Sequence, residues 1–109
     1  MRRRILYAVM LAAAISGSWA STKRPTMAEA QHAYHVGQYR HSLDLFESLA
    51  AQRNAEAAEC AGFMLLMGDV MYGNQVRRDV DRAKVFLVEA AAAGRSGAGF
   101  LLNMIERTD

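Results

Sequence analysis

Downstream of Pro25, the only proline in the chain, nothing forces a helix to break at a proline. Apolar residues there recur at steps of three and four, and glycines punctuate them. Leu43, Phe46, Leu49 and Ala50 mark one buried face of a helix over residues 39–52. Ala57, Ala61, Met64, Leu65, Gly68 and Met71 keep the same period over 55–72. Val80, Ala83, Leu87, Ala90 and Ala91 form a third stripe, which Asp79 opens as N-cap and Gly94 closes. Ala98, Leu101, Leu102 and Ile105 form a last one over 97–107, with Ser96 as its cap. Ahead of these, Thr26 and Glu29 have capping-box spacing for a helix over 27–36 that stops at Gly37. No stretch alternates with the period of two that a half-buried strand needs. The expectation is an all-α fold of about five helices.

The N-terminus reads differently. Arg2, Arg3 and Arg4 precede an uncharged apolar stretch over 5–15, and small residues follow at Ser16, Gly17, Ser18 and Ala20. Those are the three parts of a secretory signal peptide, with cleavage expected after Ala20. The run is shorter than the roughly 20 apolar residues that span a bilayer, so no stable membrane span is expected after cleavage. The domain division is therefore a signal peptide over 1–20, a polar lead-in over 21–25 and one helical domain over 26–109. The protein is expected to be exported, to a periplasm or beyond the cell.

Removing the leader changes the electrostatics. The formal net charge of +2 loses three arginines and becomes about −1, so the apparent basicity behind the pI near 9.0 gives no support for a nucleic-acid partner. Cys60 is the only cysteine, so no internal disulfide can reinforce a core that must be modest at this length. A small buried apolar role is expected for it.

A shift of 41 residues lays the helix over 39–52 on the one that starts at Asp79: Ser42 falls on Ala83, Phe46 on Leu87 and Leu49 on Ala90. A period in that range marks stacked helical hairpins. The stretch Met67-Gly68, Met71-Tyr72-Gly73, Val76, Asp79, Arg82-Ala83, Phe86, Glu89-Ala90-Ala91 and Gly94 resembles a Sel1-like repeat. The stretch Gly37, Tyr39, Ser42, Phe46 and Leu49 is similar to a tetratricopeptide repeat. Three departures stand out: the inter-helix loop is about one residue short, Gln75 occupies the place of the usual second glycine, and the helix over 55–72 is extended. The resemblance implies a short stack of α-α hairpins that holds a peptide or protein segment on its inner face. By the same resemblance, Gln31, Tyr34 and His35 of the first helix point toward that face. Solenoids usually need about three repeats, and two hairpins with one closing helix fall short of that. Either Phe100, Leu101 and Met104 cover the open end, or a partner or a second copy stabilises it.

Candidate chemistry is sparse. Glu29, His32 and His35 lie along one helical face, but two histidines one turn apart make a weak metal-ligand pair, and no metal or other cofactor is expected. Asp79 and Asp81 are accounted for by a helix start. Met64, Met67 and Met71 read as core, and Arg77, Arg78 and Arg82 as a small basic point. The expected role is a non-enzymatic protein-interaction module. The alternatives are a small exported hydrolase or metal-dependent enzyme, or a structural subunit of a larger envelope complex.

Overall fold

The computed structural model describes residues 24–108. The signal peptide expected over 1–20 and residues 21–23 of the expected lead-in lie outside the described residues. The fold is all-α, with six α-helices and no strand among the described residues: α1 (Met27–His35), α2 (Tyr39–Ala51), α3 (Ala55–Met67), α4 (Asp69–Tyr72), α5 (Val80–Ala92) and α6 (Ser96–Thr108). A single 3-10 turn, Gly73–Gln75, follows α4.

Each long helix packs on the next, α1 on α2, α2 on α3, α3 on α5 and α5 on α6, and the α3–α5 seam is the most extensive. Its closeness depends on small residues. A Cβ on Gly62 would lie 2.6 Å from Leu87 Cγ and 3.3 Å from the Ala83 carbonyl oxygen, so the two helices are as near as a missing side chain allows. Leu87 and Ala83 are fully buried there. In the first hairpin, Ser42 occupies the place that Ala83 holds in the second and is also fully buried. A buried hydroxyl needs a partner, and Ser42 Oγ donates to the Ala30 carbonyl across the hairpin at 2.9 Å.

The apolar faces read from periodicity are the buried ones for α2, α5 and α6, with Leu43, Phe46, Leu49, Ala83, Leu87, Ala98 and Ile105 all in the core. The helix expected over 55–72 does not run through. It ends at Met67, and Gly68 turns the chain at φ 53°, ψ −135°, a conformation open to glycine. The cause is the returning chain. Asp79 N–H donates to the Leu65 carbonyl at 2.9 Å, and the Arg78 guanidinium donates to the Leu66 carbonyl at 3.0 Å. These bonds satisfy carbonyls that a continuing helix would have used. The Arg78 backbone passes so close that a Cβ on Gly68 would lie 2.3 Å from it. Met71, expected on the buried stripe, is consequently 50% exposed on α4.

The caps divide similarly. Asp79 Oδ1 accepts from Arg82 N–H at 3.1 Å, and Asn54 Oδ1 accepts from Ala57 N–H at 3.0 Å. Thr26 Oγ1 accepts from Glu29 N–H at 3.2 Å, but the Glu29 carboxylate takes the Thr26 hydroxyl proton at 3.1 Å and so does not reach back to the backbone as a full capping box requires. Ser96 is the first residue of α6, not the residue that caps it. At the end of the stack, Phe100 is 66% and Met104 42% exposed, while Leu101 is half-buried.

Candidate functional site

The first arms of the two hairpins, α1 and α3, together with α6 line a groove of about 590 Å³, floored by Phe46 of α2. Binding pockets commonly enclose about 300–1,000 Å³, so the space suits a ligand. Gln31, Tyr34 and His35 of α1 all border it, brought together with Glu59, Cys60, Phe63 and Met64 of α3 and with Gly97 and Leu101 of α6.

Tyr34 contributes its ring to this groove and has its hydroxyl engaged elsewhere. The Tyr34 and Tyr72 hydroxyls are 2.9 Å apart and hydrogen-bonded, tying α1 to α4. Tyr39 completes an aromatic cluster, with ring centroids 5.2 Å from Tyr34 and 4.8 Å from Tyr72, within the range where such pairs add to burial. Burial, with the Tyr34 hydrogen bond second, holds the Tyr72 hydroxyl well above the ordinary tyrosine range. His35 sits edge-on to Tyr34, with centroids 6.4 Å apart, and is exposed.

Glu59 is the one acidic side chain on the groove lining. Arg95, just before α6, donates to its Oε1 through Nη2 at 2.8 Å and Nε at 3.2 Å. The pair fixes the start of α6 against α3. Gly97 leaves the room this requires, because a Cβ there would stand 2.6 Å from Glu59 Oε2.

Cys60 is half-buried and lines the groove, where sequence reading placed it in the core. Burial pushes its thiol up to about 11, with Glu56 and Glu59 adding to the rise and Arg95 opposing it. A thiol so protonated is a poor nucleophile at neutral pH.

The other candidates fall outside this groove. Glu29 and His32 are exposed on α1, and among the described residues no three His, Cys, Asp or Glu side chains converge as a metal site. Asp79 caps α5, and Asp81 is exposed beside it. Of the basic point, Arg82 pairs with Glu47 of α2 and Arg78 holds the end of α3, and all three arginines are exposed. Met64 is buried beneath the groove, while Met67 borders another, smaller hollow with Val70 and Met104.

Sequence reasoning missed Glu59, Phe63 and Gly97. A usable signal was present, since Glu59 is the only charged residue in the run from Ala57 to Met67, and Cys60, Phe63 and Met67 make a second apolar stripe beside the core stripe. An all-round apolar helix has more to cover than one neighbour. No helix among the described residues is long and apolar enough to cross a membrane. In comparisons with family models, with curated proteins and with solved structures, the chain has no match.

Proposed function

We propose that this chain is an exported, non-enzymatic interaction module that holds a peptide or protein segment in the groove across α1, α3 and α6. The observation that carries the reading is the groove's composition: ring and aliphatic groups from Tyr34, Phe46, Phe63, Met64 and Leu101 form its body, and few polar groups border it. Apolar sites with a small number of placed polar groups are what bound side chains require. The one thiol on the groove lining is held protonated by burial at neutral pH and so is a poor nucleophile. Export rests on the leader, and the Sel1-like and tetratricopeptide resemblance supports the use of this face.

The test is capture from the native envelope by the protein and by two variants. Gln31→Trp fills the mouth of the groove from an exposed position. Phe100→Asp alters the exposed end of the stack. Capture that survives Phe100→Asp and disappears with Gln31→Trp supports the groove, whereas the reverse pattern supports the second reading, a subunit that joins a larger assembly through its end. That second reading is favoured by the exposure of Phe100, Val85 and Val88 at 66%, 65% and 56%. No reproducible partner for any form would count against both.

A further inference from the structure

We propose that the groove takes a peptide in which an apolar side chain is followed by a basic one, Arg or Lys, the apolar group entering between Phe63 and Leu101 and the basic group pairing with Glu59. This rests on the peptide-binding reading above and adds the chemistry of the occupant. Three features converge on it. Glu59 lines the groove with its side chain only 19% exposed, so its charge is largely withdrawn from water and depends on partners.

Its internal partner uses half of it. Both Arg95 bonds land on Oε1, and Oε2 takes neither of them. Oε2 is turned toward Gly97, itself a groove residue, and any side chain at that position would cover it. The glycine therefore leaves Oε2 uncovered where Glu59 and Gly97 border both the groove and a small polar hollow shared with Arg95.

The local charge balance has the matching sign. Glu56 lies one helical turn before Glu59–Cys60 on α3, so two carboxylates and one guanidinium surround that end. Their combined effect on Cys60 agrees, since both glutamates raise its thiol and Arg95 alone lowers it. Gln31, on the opposite wall, is uncharged. An acidic peptide meets repulsion there, a neutral one leaves Oε2 without a charged donor, and a basic one completes it.

The experiment is fluorescence anisotropy with three labelled peptides that share one Phe-Leu apolar segment and differ only in the next residue, Arg, Gln or Glu. With the purified protein, the Arg peptide is expected to bind about tenfold more tightly than the Gln peptide, the size of one charge-assisted hydrogen bond, and the Glu peptide more weakly still. Glu59→Gln should collapse that preference to within about threefold. Because Glu59→Gln also removes the tie to α6, Arg95→Gln is the companion variant. It keeps the carboxylate and frees Oε1, so the preference for Arg should rise. Equal binding of the Arg and Gln peptides, or a preference that survives Glu59→Gln or falls with Arg95→Gln, overturns the charge assignment and leaves the groove reading standing. Binding of none of the three at millimolar concentration overturns both.

Discussion

Gln75 caps the helix that begins at Tyr39, although the two lie 36 residues apart. Gln75 Oε1 accepts from Tyr39 N–H at 2.9 Å and, at 3.4 Å, from Arg40 N–H, while Nε2 donates to the Gly37 carbonyl at 2.9 Å. The local N-cap residue of α2, Gln38, makes no side-chain cap bond. The orphan amides at the start of α2 are thus served from the 3-10 turn of the second hairpin, and one side chain both caps a helix and joins the hairpins.

Replacing Gln75 with Ala should therefore cost more than a loop substitution. Loss of a cap acceptor costs about 0.5–2 kcal/mol, and the stranded Gly37 carbonyl adds to it. At about 4–8 °C per kcal/mol for a domain of this size, a fall in Tm of roughly 6–15 °C is expected in a thermal melt followed by circular dichroism. Gln75→Gly, the residue of the resembled repeat, should be no better. A melt unchanged within about 2 °C would show that water serves those amides equally well.

Gly62→Ala sets two effects of opposite sign against each other. Alanine in a helix interior gains about 1 kcal/mol over glycine. Overpacking a filled core costs about 1–3 kcal/mol. Leu87 is fully buried with its Cγ at 2.6 Å from the new methyl, and the Ala83 carbonyl leaves no room behind it, so packing wins. A net loss of about 1 kcal/mol is expected by urea denaturation. A stabilised variant would mean that the α3–α5 seam can open to admit a methyl group.

Arg53 lies in the left-handed region at φ 67° and is the only non-glycine to do so among the described residues. It ends α2, where Arg53 N–H bonds to the Ala50 carbonyl and Asn54 N–H to that of Leu49, a turn that glycine commonly makes. The strain of about 1–2 kcal/mol exceeds the backbone entropy that glycine loses, about 0.5–1 kcal/mol. Arg53→Gly should raise stability by about 0.5–1 kcal/mol, read as a shift of the urea midpoint at constant slope.

These cases show which parts of the fold the sequence discloses. Helix faces were legible because burial of Leu43, Phe46 and Leu87 follows local periodicity. The break at Gly68 was hidden, since the strand of chain at Arg77–Asp79 that ends α3 arrives from more than ten residues away. Gln75 was visible only as a departure from a pattern. Likewise, Gln31, Tyr34 and His35 were named through a resemblance and border the groove, whereas Glu59 acquires its meaning from Arg95 and Gly97, which reach it through the tertiary fold.

Cys60 gives a pH test of the groove's interior. Its thiol, ordinarily near 9.0, is pushed up to about 11 chiefly by burial. The folded state therefore holds the proton more tightly than the unfolded chain does. The corresponding stability is complete below pH 9.0 and is lost as pH rises through 9.0 toward 11. Since the thiolate is the reactive form, the iodoacetamide alkylation rate should keep rising about tenfold per pH unit past 9, where the urea-unfolded chain levels off. Glu56→Gln should lower the midpoint by the smaller share of the shift, because burial is the larger cause, and Arg95→Gln should raise it. A native midpoint at or below that of the unfolded chain would show that Cys60 is solvated, and with it that the groove floor is wetter than its lining residues imply.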